Sequence, residues 1–256
     1  MIVNNSAIDI VSPPASRGAD WIAGGFRFFS AAPLQWIVTT VLMLAATLVF
    51  RLGGDYLGTA LSMLLTPVLT GGLMLGCARQ EREGSFDISS LWSGFSGPHL
   101  GRLLTVGALQ MLAMLLILGF VFAAIGGVAL GTLFGGGSGD LESSAPALTL
   151  LALLLALPCL FVMIAAFWLA PPLIVLRGAE PLVALSASLR ASFKAIGSLT
   201  VYGLVSIVLI VVAMISLGLG LLVVLPMIYA STYLLCRDVF PEPAATSPDA
   251  DRYEVV

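Results

Sequence analysis

The stretch LTVYGLVSIVLIVVAMISLGLGLLVVLPMIYASTYLLC, residues 199–236, runs 38 residues without a single charge. One helix of that length would extend about 57 Å, against a bilayer hydrocarbon core of ~30 Å. Two spans joined by a tight turn at Ser216-Leu-Gly-Leu-Gly220 fit the membrane; one does not. The bases sit outside this pair. Arg177, Arg190 and Lys194 precede it, Arg237 and Arg252 follow it, and none falls at the turn. The chain therefore enters and leaves the bilayer on the same, basic side.

Worked outward, the same pattern recurs. Apolar runs at about 34–50, 56–78, 101–127 and 146–176 join those at 199–217 and 218–236, which gives six spans in three in-out-in hairpins. Of 256 residues, 59% are hydrophobic and 10% charged, and mean hydropathy is +1.07. A soluble domain carries about 25% charged residues, so the bilayer must serve as solvent here. Arg17 and Arg27 precede the first span. Arg79, Arg82 and Arg102 surround the loop between the second and third. Ten of the eleven bases thus share one side and only Arg51 faces the other, while the loop after the third span carries Asp140 and Glu142. Lys and Arg favour the cytoplasmic side. The expectation is a multi-pass protein of the bacterial cytoplasmic (inner) membrane with both termini cytoplasmic. Residues 1–15 lack the features of a signal peptide and are expected to be disordered. Residues 16–240 form one integral membrane domain. Residues 241–256 form a polar, Pro- and Ala-rich tail that is expected to be disordered.

The cytoplasmic connections are amphipathic. Over Ser16 to Ser30, Arg17, Asp20, Gly24 and Arg27 share one helical face, and Trp21, Ile22, Phe26 and Phe29 the other. Asp87 is placed to cap a short helix whose Ile88, Leu91, Trp92 and Phe95 fall at helical spacing. From Pro181, a good first-turn residue, Leu182, Leu185, Leu189, Phe193 and Ile196 form a stripe with Ser186, Arg190 and Lys194 off it. Each reads as an interfacial helix on the cytoplasmic surface, apolar face down. Each precedes one hairpin, so the fold class is an all-α polytopic transmembrane bundle with a pseudo-threefold pattern. Phe29-Ser-Ala-Ala-Pro-Leu, Phe95-Ser-Gly-Pro-His-Leu and Phe193-Lys-Ala-Ile-Gly-Ser can be set against one another. So can the closing ends Leu75-Gly-Cys-Ala-Arg79, Leu173-Ile-Val-Leu-Arg177 and Leu234-Leu-Cys-Arg237. Triplication and mere likeness of three hairpins both explain these matches. True repeats would be parallel ones.

On Trp21, Phe26-Arg27-Phe28-Phe29, Ala170-Pro-Pro-Leu-Ile174, Pro181, Ala184, Ser188 and the segment Tyr229 to Phe240, the chain resembles an uncharacterised family of proteobacterial six-span inner-membrane proteins. The resemblance covers most of the chain. More loosely, it looks like the membrane domain attached to some glycerophosphodiester phosphodiesterases, without their catalytic domain. The resemblance implies fold and location and assigns no activity.

Chemistry has few places to reside. Ionisable groups in hydrocarbon are costly and read as functional by default, and the middles of the spans carry none. A catalytic triad would have to use the single histidine, His99, at the start of the third span. HExxH and clustered carboxylates are absent from the sequence. Cys77, Cys159 and Cys236 have no paired spacing and read as small packing residues. The Gly-rich tract from Gly126 to Gly139 lacks GK[ST] and reads as a flexible outer loop. No catalytic, cofactor or metal residue is expected. Gln110, near the middle of the third span, and the Thr59, Ser62, Thr66, Thr70 stripe of the second either line a polar path or fix helix packing. Tyr229, Ser231, Thr232 and Tyr233 make the end of the last span polar, in keeping with an interfacial belt. Arg17, Arg27, Arg102, Arg190 and Lys194 are placed to meet anionic phospholipid headgroups.

The sequence points to a non-enzymatic inner-membrane protein acting through contacts with lipid or a membrane-protein partner, in a scaffold, assembly or envelope role, with no cofactor and no nucleic acid. The alternative is a permease for a small neutral or amphipathic solute. The topology can be tested directly. Reporters fused after Gly139 should read as periplasmic, and those after Gly84, Gly197 and Val256 as cytoplasmic; one reversed signal breaks the six-span arrangement.

Overall fold

A computed structural model describes residues 8–52, 54–134 and 139–241. Among them the chain forms α1 (Arg17–Ala31), α2 (Pro33–Arg51), α3 (Asp55–Glu83), a 3-10 turn over Ile88–Gly94, α4 (Leu100–Phe134), α5 (Gly139–Phe167), α6 (Ala170–Arg177), α7 (Pro181–Lys194), α8 (Ile196–Ile215) and α9 (Leu221–Val239). Six stretches are long and apolar enough to cross a membrane: Pro33–Phe50, Tyr56–Glu83, Leu100–Gly127, Thr149–Arg177, Ile196–Ile215 and Leu221–Val239. The tract Gly126 to Gly139, expected as a flexible outer loop, is helical as far as Phe134 and again from Gly139; its centre, 135–138, lies outside the described residues, as do residues 1–7, residue 53 and the expected tail from 242 onward.

The long uncharged stretch breaks where its residues allow it to. Helix α8 stops at Ile215, Leu217 and Gly218 take positive φ of 54° and 82°, and α9 begins at Leu221. The Ser216 hydroxyl accepts from the Gly220 N–H at 2.8 Å, so the turn satisfies a backbone donor within itself.

Backbone contacts gather the chain into two units. The first comprises Met1–Met43, Leu73–Leu91 and Arg190–Val256. Here α1 packs along α8 and α9. Its glycines make that approach close. A Cβ on Gly25 would fall on the Met227 carbonyl oxygen and 3.1 Å from the Ser231 nitrogen; one on Gly18 would crowd the Ser198 carbonyl and the Tyr202 amide. Trp21, Ile22 and Phe29 are buried, and Trp21 meets Tyr202 edge to face at 6.1 Å. Ahead of α1, the Val11 N–H donates to the Val239 carbonyl at 2.9 Å, and the Ser12 hydroxyl to the Lys194 carbonyl at 2.8 Å. Residues 11 and 12, within the segment expected to be disordered, are thus pinned by hydrogen bonds.

The second unit comprises Leu44–Gly72 and Trp92–Leu189. A Cβ on Gly94 would fall on the Val68 carbonyl oxygen and 3.2 Å from the Gly72 nitrogen. One on Gly107 of α4 would press on the Leu64 backbone of α3. Helices α4 and α5 pack along each other, and α6 packs on both.

Three further expectations change. The fourth span, expected as one helix over about 146–176, is broken into α5 and α6 at Trp168 and Leu169. Pro171 and Pro172 lack the N–H groups that would continue the ladder past the break. The Ser188 hydroxyl enters the gap, donating to the Ala165 carbonyl at 2.6 Å and accepting from the Leu169 N–H at 3.2 Å. The segment capped by Asp87 is a 3-10 turn, with the carboxylate accepting from the Ser89 hydroxyl at 2.5 Å and from the Ser89 N–H at 2.9 Å. That bonding holds the Asp87 carboxyl below its ordinary range.

The connecting helices also differ from surface-lying ones. In α1 the apolar residues divide: Trp21, Ile22 and Phe29 pack inward while Phe26 stays 50% exposed. In α7 the buried face is the small one, Ala184, Ala187, Ser188 and Ala191, whereas Leu182 of the expected stripe is 70% exposed. Small residues let backbones approach closely where lipid offers no hydrophobic drive between helices.

This packing predicts a contrast between glycines. Gly25→Ala should lower thermal stability in detergent by about 1–3 kcal/mol, because its Cβ has no room. Gly203→Ala, whose Cβ would meet nothing within 4 Å, should be neutral or mildly stabilising. Equal melting shifts for the two would refute the close contact.

Candidate functional site

The densest polar arrangement lies in the first unit, at the last turns of α3 and α9. Gln80 is the hub. It is only 5% exposed, with both ends of its amide in use. Its Oε1 accepts from the Trp36 indole at 3.0 Å, and its Nε2 donates to the Phe28 carbonyl at 2.7 Å. A buried indole N–H needs an acceptor, and Gln80 supplies it from the neighbouring helix. Trp36 in turn stacks on Phe86 with centroids 4.0 Å apart. One amide thereby ties the ends of α1, α2 and α3 together.

One residue on, Glu81 accepts from the Tyr233 hydroxyl at 2.6 Å and pairs with Arg237. The Phe28 and Tyr233 rings lie 5.9 Å apart beside this pair. Asp238 completes the cluster, taking the Arg17 guanidinium at 2.5 Å and the Trp21 indole at 2.9 Å on the same oxygen. Deeper in α9, the Tyr202 hydroxyl meets Ser231 at 3.0 Å and Thr232 at 3.3 Å, while both of those hydroxyls donate to the Ile228 carbonyl at 2.8 Å. The polar end of α9, which reads in sequence as an interfacial belt, serves helix contacts at these positions.

Chemically, the cluster is a set of ties. The Glu81 carboxylate is engaged by a phenol and a guanidinium, and the Gln80 amide is bonded at both its oxygen and its nitrogen. The ion pairs are half-exposed and each contributes little alone. Their value is positional, since they join helix ends that are distant in sequence.

Of the candidate headgroup contacts, Arg17 is held by Asp238. Arg102 donates to the Gly178 carbonyl at 2.7 Å and to Glu180 at 2.6 Å, and Lys194 to the Ile10 carbonyl at 2.5 Å. Arg27 and Arg190 are exposed. Of the candidate path residues, Thr66 donates to the Ser62 carbonyl of its own helix at 2.6 Å. Gln110, Ser62 and Thr70 are half-buried and Thr59 is exposed. The Leu64–Gly107 contact falls between Ser62 and Thr66 on α3 and one turn before Gln110 on α4, so these residues flank a tight helix crossing. Among the described residues, Cys77 and Cys236 are buried free thiols and Cys159 is an exposed one.

Sequence reading passes over Gln80, Asp238 and Tyr202, and takes Glu81-Arg82-Glu83 with Asp87 for a charge cluster in a solvated loop; the structure instead sets Glu81 on the last turn of α3, bonded to Tyr233 and Arg237. A signal was present: Gln80 and Asp238 each follow a closing arginine directly, and two tryptophans near helix ends called for acceptors.

The chain is similar to a probable inner membrane protein of Burkholderia thailandensis, 28% identical over 235 residues, which cover 89% of this chain and 84% of that one. No family model matches the chain. No solved structure matches it. The relative's name accords with the inner-membrane part of the resemblance read from the sequence; the likeness to phosphodiesterase-linked membrane domains finds no support in these comparisons.

The hub can be tested by a volume-conserving change. Gln80→Met leaves the Trp36 indole and the Phe28 carbonyl unpaired, at about 1–3 kcal/mol each. The expected result is a clear fall in melting temperature in detergent with the helical content retained. An unchanged melting curve would show that Gln80 is not a hub.

Proposed function

We propose that this chain is a non-enzymatic inner-membrane protein with both termini in the cytoplasm, acting through contacts with anionic phospholipids or a membrane-protein partner. The observation that carries this reading is where its polarity is used. The ionisable side chains at helix ends bind one another, as Arg17 with Asp238, Arg102 with Glu180 and Arg237 with Glu81. The middles of the membrane-length stretches carry none. Thr66, a candidate for a permease path, spends its hydroxyl on its own helix. Large apolar side chains are instead presented outward on the connecting segments: Phe26, Trp92, Leu182 and Phe193.

The same reading holds the chain to be three copies of one module, a connecting helix followed by an outgoing and a returning helix. Three contacts support it. Gly25 sits against the Met227 carbonyl and the Ser231 nitrogen, Gly94 against the Val68 carbonyl and the Gly72 nitrogen, and Ser188 against the Ala165 carbonyl and the Leu169 nitrogen. Each is a small residue set on a carbonyl and the amide four residues later. Those carbonyls lie ten, eleven and twelve residues before the closing Arg237, Arg79 and Arg177. In each case the connecting helix of one module seats on the returning helix of the module before it, α1 taking the last one. Ten residues of helix are about 15 Å, half of a ~30 Å core, so the connecting helices reach into the bilayer and stay near one leaflet.

Purification of the intact protein in mild detergent, followed by native mass spectrometry, tests the role. Retained anionic phospholipid or a stoichiometric membrane-protein partner is expected. A lipid-free, partner-free monomer whose deletion abolishes uptake of one solute would overturn the reading in favour of a permease.

A further inference from the structure

We propose that the Ser188 hydroxyl is a latch that holds the fourth membrane-length helix open between α5 and α6, and that withdrawing it lets the helix close. The inference stands on the geometry of the break, whichever contacts the protein makes in the membrane. Ser188 is fully buried, and its hydroxyl occupies the place of a helical hydrogen bond, donating to the Ala165 carbonyl and accepting from the Leu169 N–H. These two groups are the ones that would bond each other in an unbroken helix. Insertion of a side chain into the ladder is a recognised cause of a helix break.

The corresponding contacts elsewhere in the chain are made by glycine. Gly25 and Gly94 approach a carbonyl and its i+4 amide in the same way, and α9 and α3 run uninterrupted through those pairs. A glycine there touches the ladder without entering it; the serine enters. The break that Pro171 and Pro172 favour is therefore filled by one hydroxyl.

The two arrangements satisfy the same two backbone groups. With the latch in, Ser188 satisfies both backbone groups. With it out, they satisfy each other, and a serine in a helix can turn its hydroxyl to the carbonyl four residues back, here that of Ala184. Pro171 and Pro172 sit in the first turn of α6, where proline is tolerated, and so favour a joint near this point in either state; the Leu169–Ala165 bond is the one rung that the hydroxyl replaces. What the exchange changes is the course of α6. This eight-residue helix is buried from Ala170 to Val175, and the Gly178 carbonyl just beyond it is held by Arg102. The joint at Trp168 and Leu169 is thus a hinge set into a membrane span, and Ser188 is the side chain that fills it.

Amide hydrogen exchange of the full-length protein in lipid nanodiscs, followed at Leu169, reads the latch. In Ser188→Gly the released pair should bond directly, and the Leu169 amide should exchange roughly tenfold more slowly than in the parent protein. Ser188→Thr retains the hydroxyl and should keep the parent rate. If Ser188→Gly does not accumulate, Ser188→Ala removes the same hydroxyl and should show the same slowing. Exchange that is unchanged or faster when the hydroxyl is removed would overturn the proposal, as would slowing in Ser188→Thr.

Discussion

In hydrocarbon, a backbone carbonyl can be approached closely only by a residue with almost no side chain, or by one whose side chain can bond it. This structure depends on that constraint. Gly25 and Gly94 meet it by having no Cβ, and Ser188 meets it with a hydroxyl. Each lets a short helix lie directly on a long one, so that short and long helices touch through backbone. The larger side chains are then free to fill gaps, as Trp21 does against Tyr202, or to face outward, as Phe26 and Leu182 do.

The polar cluster around Gln80 and Glu81 follows from the same arrangement. Once α1 is seated on α9, the Arg17 and Trp21 side chains reach Asp238, and the Phe28 carbonyl comes within reach of Gln80. These bonds fasten helix ends where a single ion pair would be weak.

The membrane-length helices were legible because their signal is long and redundant: about 20 apolar residues bounded by arginines tolerate many misreadings. The break at Leu169 was not legible. It depends on a hydroxyl contributed from 19 residues away, and prolines inside membrane helices usually kink rather than stop them. The faces of α1 and α7 were read incompletely for a related reason. An apolar stripe is visible in sequence, but the residues that dock are Gly18, Gly25, Ala184 and Ser188, which helical periodicity passes over as neutral. Gln80 and Asp238 sit at helix ends and carry no periodic or motif signal of their own. Only the positions of Trp36 and Trp21 reveal them as acceptors.

The seat of α1 has a consequence for the order of assembly. Its partner residues on α9, Met227 and Ser231, are made about 200 residues after Gly25. At ~5–20 residues per second, the ribosome needs on the order of 10–40 s to deliver them. For that time α1 has no helix to sit on. A basic, two-faced helix is suited to resting at the lipid surface until its seat arrives. The amphipathic pattern that marks residues 16–30 as a surface helix therefore describes where α1 waits during synthesis, and its glycines describe where it ends.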